Sequence, residues 1–128
     1  MFNRKNKSTI DSLIGATTSI NGDVHFKGGL RIDGHVTGNV IAESGSPSIL
    51  VISEQAIIDG EVHAGHIVVN GVINGPVVST ELIELQSKAR ISGDVQYKAL
   101  EMMNGALVSG KLGHDQAAEP VLKLAASN

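Results

Sequence analysis

Cysteine and tryptophan are absent from the chain, and Phe2, Phe26 and Tyr97 are its only aromatics. Without cysteine there is no disulfide and no thiolate metal site, which suits a reducing cytoplasm. Without large aromatic anchors, the 41% hydrophobic content is Ile, Val, Leu and Ala. Such residues suit many thin, similar layers better than one globule packed round a few big side chains. No apolar run approaches the ~18 residues that a spanning helix needs. The basic start has no apolar stretch behind it, so no secretory signal is expected. A net charge of −3 gives no general nucleic-acid footprint. No Walker loop, nucleophile elbow or dinucleotide fingerprint occurs, so neither nucleotide, cofactor nor catalysis is expected. These absences describe a soluble intracellular protein of 128 residues, long enough for one domain.

Glycine is plentiful, and it recurs in a pattern. Gly22, Gly60 and Gly93 sit in Ile20-Asn-Gly-Asp-Val24, Ile58-Asp-Gly-Glu-Val62 and Ile91-Ser-Gly-Asp-Val95, at steps of 38 and 33 residues. A second series places Gly34, Gly71 and Gly105 in Ile32-Asp-Gly-His-Val36, Val69-Asn-Gly-Val-Ile73 and Met103-Asn-Gly-Ala-Leu107, at steps of 37 and 34. The excess in the first interval maps to the polar stretch Ser44-Gly-Ser-Pro-Ser48. Elsewhere the register holds, with Leu50 and Ile52 matching Ile83 and Leu85, and Ala56 matching Ala89. Two offset motifs per repeat imply two structural turns of ~17 residues each.

Within each motif the apolar residues step by two, which is the period of a strand and not of a helix. Val and Ile favour extended chain, and the glycines supply corners. Short strands and corners repeating every ~17 residues describe a parallel β-solenoid, each strand pairing with its equivalent one coil away. About six coils fit, a stack about 29 Å long. The left-handed hexapeptide helix wants an aliphatic residue at every sixth position, whereas here the steps run in twos and the coil length drifts. The general preference for right-handed crossovers then favours a right-handed helix. The fold class is therefore all-β: a single right-handed parallel β-helix over 14–113, with disordered tails at 1–13 and 114–128.

Repeated Ile-x-Gly-x-Val units in a short cysteine-free chain with brief polar tails resemble the bactofilins, bacterial cytoskeletal proteins. The resemblance covers about residues 14–112 and the character of the N-terminal tail. It implies a triangular β-helix whose subunits join end to end, without nucleotide, into filaments lacking polarity. It also implies a scaffold on the inner face of the cytoplasmic membrane that helps localise cell-wall or morphogenesis proteins.

A β-helix has two open ends, each exposing unpaired backbone over a cross-section of aliphatic side chains, and such edges template further pairing unless blocked. Leu13, Ile14, Ile20 and Val24 are the candidate interface at the first coil, and Met103, Leu107, Val108 and Leu112 at the last. Neither terminal coil is exchanged for a charged one. Burying five or six aliphatic side chains gives roughly 8–15 kcal/mol gross per junction, against an estimated 4–15 kcal/mol for lost rigid-body freedom.

The tail Met1-Phe-Asn-Arg-Lys-Asn-Lys7 has no acid before Asp11. Met1 and Phe2 suit the lipid interface, with Arg4, Lys5 and Lys7 over anionic headgroups. Two partly buried apolar side chains contribute ~2–4 kcal/mol and each cation ~1 kcal/mol. One copy therefore binds weakly, while a filament carrying one tail per subunit attaches firmly. Ser8–Gly15 reads as a linker in preference to one helical turn. After Gly113 the pattern stops, and Val121, Leu122 and Leu124 form an apolar cluster able to dock a partner, to cover the final coil or to end as a frayed tail.

Five histidines raise a metal site as an alternative. His63 and His66 flank a corner, and His25 and His63 lie about two coils, or ~9.6 Å, apart, too far to share one ion. They read as solvated. Asp23, Glu61 and Asp94 share one lattice position after the repeat glycine and read as a solvated ladder, not a glycosidase pair. The alternatives to a filament subunit are a non-polymerising β-helical adaptor and an acyltransferase-like or metal-dependent β-helical enzyme.

Overall fold

The structure is a computed structural model and describes residues 9–114. Every regular element among these residues is a strand, and every pairing is parallel. The chain winds through six coils. The first holds β1 (Ile10–Ile14), β2 (Ser19–Asn21) and β3 (Val24–Phe26), and the second β4 (Gly28–Ile32), β5 (His35–Thr37) and β6 (Val40–Ala42). The third holds β7 (Ser48–Ile52), β8 (Ile57–Asp59) and the start of β9 (Val62–Val69), which bends round a corner into the fourth. The fourth continues with β10 (Val72–Asn74) and the start of β11 (Val77–Leu85), which bends likewise into the fifth. The fifth ends with β12 (Arg90–Ser92) and β13 (Val95–Tyr97). The sixth is β14 (Ala99–Met102), β15 (Leu107–Val108) and β16 (Leu112–His114).

Three ladders run the length of the stack, so the helix is a three-sided prism. On the first face Ile14 pairs with Ile32, then Ile52, Val69, Leu85 and Met102, at steps of 18, 20, 17, 16 and 17 residues. The longest step contains Ser44–Ser48, as the sequence implies. On the second face Ile20, Val36, Ile58, Ile73, Ile91 and Val108 are in register. On the third the column is Val24, Val40, Val62, Val77, Val95 and Leu112. In coils two to five these residues are all buried. The core is thus columns of like side chains, each stacked on its neighbour at the ~4.8 Å strand spacing, and β-branched residues fit that geometry because their χ1 is already restricted.

The corner between the second and third faces explains the glycines. Gly22, Gly38, Gly60, Gly75, Gly93 and Gly110 stack there, one per coil. A Cβ on Gly60 would lie 2.0 Å from the Gly38 carbonyl oxygen, and one on Gly110 would lie 2.2 Å from that of Gly93. From Gly38 to Gly110 the turns are packed too closely for any side chain.

Two expectations need correction. The first strand begins at Ile10, four residues before the expected boundary, because Ile10–Ile14 pairs with Gly29–Ile32 through a bulge. These residues are neither linker nor helical turn. Second, Gly105 is not equivalent to Gly34 and Gly71. Val72 pairs with Arg90 and Arg90 with Leu107, which puts Gly71 level with Ala89 and Ala106. Gly34 and Gly71 each form a two-residue corner between the first and second faces. Gly105 lies in a four-residue turn closed by Ala106 N–H donating to the Met103 carbonyl at 3.2 Å.

Candidate assembly interface at the two ends

Among the described residues, each strand of the first and last coils has a partner on one side only. β1, β2 and β3 pair with β4, β5 and β6, and β14, β15 and β16 pair with β11, β12 and β13. Each end therefore presents three strand edges of unpaired backbone donors and acceptors round a triangular apolar section. Register decides which side chains floor it. At the first coil they are Ile14, Ile20 and Val24, in line with buried Ile32, Val36 and Val40, together with Phe26, in line with Ala42, and one polar residue, Ser12, in line with buried Leu30. At the last coil they are Leu100, Met102, Val108 and Leu112, in line with buried Ile83, Leu85, Ile91 and Val95. Exposure rises where the stack stops: Leu85 and Val95 are fully buried, whereas Met102 is 45% and Leu112 42% exposed.

The expected interface residues divide accordingly. Ile14, Ile20, Val24, Val108 and Leu112 lie in the end sections. Leu13, Met103 and Leu107 do not. Leu13 is in register with Arg31 and Leu107 with Arg90, so both stand on the outer wall, and Met103 occupies the corner position after the last rung. All three are more than half exposed. Phe26, Leu100 and Met102 belong to the sections and were missed, although each lies two residues from another apolar inward position. Met1, Phe2, Arg4, Lys5 and Lys7 lie outside the described residues, as do Val121, Leu122 and Leu124.

The polar residues singled out are spread along the prism. His63 and His66 sit on either side of the bend in β9, on different faces. His63 bonds Glu61, and His66 Nε2 meets Glu84 Oε2 at 2.6 Å. His35 Nε2 meets Asp59 Oδ2 at 2.7 Å, and Ile41 separates His25 from His63 in their column. Among the described residues no group of three or more His, Asp or Glu side chains is placed to hold a metal ion. Two of the acids after the repeat glycines, Asp23 and Asp94, have a structural task beyond solvation, which Asn39 shares, while the Glu61 carboxylate pairs with His63. Asp23 Oδ1 accepts from Asn39 N–H at 2.9 Å, Asn39 Oδ1 from Glu61 N–H at 2.9 Å, and Asp94 Oδ1 from Lys111 N–H at 3.0 Å. Each side chain satisfies a corner N–H of the next coil, which the strand ladder does not reach. Two carboxyls are held below the ordinary value. Hydrogen bonds from Ser53 and then Arg31 do this for Asp33, and bonds from Asn74 and then His35 for Asp59. No described helix is long and apolar enough to cross a membrane.

Comparison with known proteins bears on the family and the fold. Residues 12–113 match the family model for Bactofilin, described as polymer-forming cytoskeletal. Bactofilin BacO of Myxococcus xanthus strain DK1622 is 21% identical over 114 residues, covering 89% of this chain and 87% of that protein. A cryo-EM reconstruction of Thermus thermophilus bactofilin double helical filaments superposes with a TM-score of 0.72 at 26% identity, covering 81% of this chain and 99% of that one. The solid-state NMR structure of the cytoskeletal bactofilin BacA superposes with a TM-score of 0.69 at 30% identity, covering 81% and 95%.

Proposed function

The chain belongs to the bactofilin family of polymer-forming cytoskeletal proteins, and on that premise we propose that it is a scaffold subunit that self-assembles end to end without nucleotide. One observation carries the reading: among the described residues six strand edges stand open at the two ends of the stack, and at the last coil Met102 and Leu112 of the aliphatic section are 45% and 42% exposed. Joining two ends pairs the backbone edges and buries both sections in one step, as in β-augmentation. A solenoid that works as a monomer normally ends in polar or helical caps, and the terminal coils here keep Ile20, Val24, Val108 and Leu112 in their inward columns. Like ends meet like, giving a filament without polarity.

The filament lies on the inner face of the cytoplasmic membrane. Met1 and Phe2 insert among the lipids, and Arg4, Lys5 and Lys7 contact anionic headgroups. Attachment and assembly are coupled, since only a polymer presents enough tails to hold. There it localises cell-wall or morphogenesis proteins. The test is electron microscopy and pelleting of the purified full chain with no nucleotide added, followed by flotation with anionic vesicles. Filaments are expected to float, and removal of residues 1–7 is expected to abolish flotation while filaments persist. A chain that stays monomeric at high concentration refutes the assembly reading, and unchanged flotation of the shortened chain refutes the membrane reading.

A further inference from the structure

The last coil leaves the edge of β14 open, and the chain beyond His114 carries a segment that fits it. Among the described residues β14 pairs with β11 on one side only. It turns Leu100 and Met102 inward, in line with Ile83 and Leu85, and Ala99 and Glu101 outward, beside Leu82 and Glu84. Met102 is 45% exposed. Glu84 is answered by His66, whereas among the described residues no cation pairs with Glu101. The edge is therefore complementary to a strand that brings two inward apolar residues with a cation between them. Val121-Leu-Lys-Leu124 has that pattern.

We propose that residues 121–124 of the same chain dock on β14 as a seventh parallel strand of the first face. Val121 then lies beside Ala99, Leu122 beside Leu100, Lys123 beside Glu101 and Leu124 beside Met102. The spacing comes from a corner that the fold already builds. Ala42 and Tyr97 hold equivalent positions on the third face, two residues past Val40 and Val95 of one column, and His114 continues that position. Ile49 and Ala99 are equivalent on the first face, linked through His66 and Leu82. From Ala42 to Ile49 the chain rounds the corner with six residues between, Glu43-Ser-Gly-Ser-Pro-Ser48. From His114 to Val121 it again has six, Asp115-Gln-Ala-Ala-Glu-Pro120, with a proline near the end as before. The tight corner between Tyr97 and Ala99, through Lys98 alone, is the other route. Taken after His114, it sets residues 116–119 on β14 and turns Glu119 inward beside Met102, and burying a carboxylate opposes that. The longer corner leaves Glu119 in the loop and lays leucines over the section.

The docked strand stands one rung, about 4.8 Å, above β15 and β16. Two last coils cannot then meet flush, so the segment must lift before they join. That consequence rests on the filament reading above; the docking does not. The chain has no cysteine, so an introduced pair reports the register. Glu101→Cys with Lys123→Cys sets two thiols on neighbouring parallel strands, within the ~4.4–6.8 Å Cα separation of a disulfide. Mild oxidation of this full chain is expected to give an internally cross-linked monomer on a non-reducing gel. Glu101→Cys with Ser127→Cys, four residues out of register, is expected to give little. No cross-link in the first pair, equal cross-linking in both, or a cross-linked dimer overturns the docking, the dimer because a second copy then supplies the strand. The oxidised first pair is expected to stop at dimers held by their first coils, and to form filaments once reduced. Filaments from the cross-linked monomer overturn the gating of the last end. A wild-type chain that forms no filaments overturns the end-to-end reading and the gating, while the cross-link still decides the docking.

Discussion

Leu112 and Leu107 lie five residues apart on the last coil and are similarly exposed, at 42% and 57%, yet arginine at each should behave differently. Leu112 continues the inward column of Val95, and Leu107 continues an outward row in which Arg90 already stands. A full aliphatic burial is worth ~1.5–3 kcal/mol. Leu100, Met102, Val108 and Leu112 are partly covered already, so each gains about half of that, and eight such side chains in a junction of two last coils gain roughly 6–12 kcal/mol. Leu112→Arg removes part of that gain and puts an unpaired charge into each half, at several kcal/mol per ion. A loss of about 6 kcal/mol is about a 10⁴-fold weaker junction. The first-coil end is untouched. Sedimentation of Leu112→Arg should therefore show dimers held by their first coils, with unchanged β-rich circular dichroism, while Leu107→Arg should still pellet as filaments. Monomers of Leu112→Arg mean that first and last coils join each other and the filament has polarity. Filaments from Leu112→Arg, or none from Leu107→Arg, refute the assignment of the end section.

Gly60→Ala should lower stability by at least ~2–3 kcal/mol in denaturant titration, because its Cβ meets the Gly38 carbonyl oxygen at 2.0 Å. Gly15→Ala, with nothing within 4 Å of the new Cβ, should change it by less than ~0.5 kcal/mol. Ser48→Ala should cost ~1–3 kcal/mol, since the buried Ser48 Oγ accepts from Gly65 N–H at 2.9 Å, and the serine variant of a neighbouring exposed position serves as the baseline. The carboxyls of Asp33 and Asp59 are depressed in the folded state, so their contribution is fully present above the ordinary 3.8 and is lost as pH falls through and below it. Thermal unfolding followed between pH 6 and pH 2.5 should fall more steeply for the wild type than for Asp59→Asn, with a small difference because Asp59 is 40% exposed. Equal slopes refute the role of that carboxylate.

How much of this was written in the sequence differs between the core and the ends. Glycine with apolar flanks, stepping by two, was enough for coils, strands and their number. The complete corner column was legible too: Val36-Thr-Gly-Asn-Val40, Ile73-Asn-Gly-Pro-Val77 and Val108-Ser-Gly-Lys-Leu112 carry the same motif as the three units first aligned. Setting Gly34, Gly71 and Gly105 in one series hid them, because two-residue and four-residue corners occur at the same place in different coils and shift the count. The end sections were harder for a related reason. Alternation says which residues of one strand share a side, but every corner resets which side that is. An apolar residue such as Leu107 carries no mark of its direction until Arg90 is known to be its neighbour in the ladder. Interior coils escape this ambiguity because a wrong phase would bury Arg31, Glu84 or Arg90. At the last coil both sides of the wall are apolar, Leu107 outside and Val108 inside, so composition loses its power to assign direction where assembly depends on it.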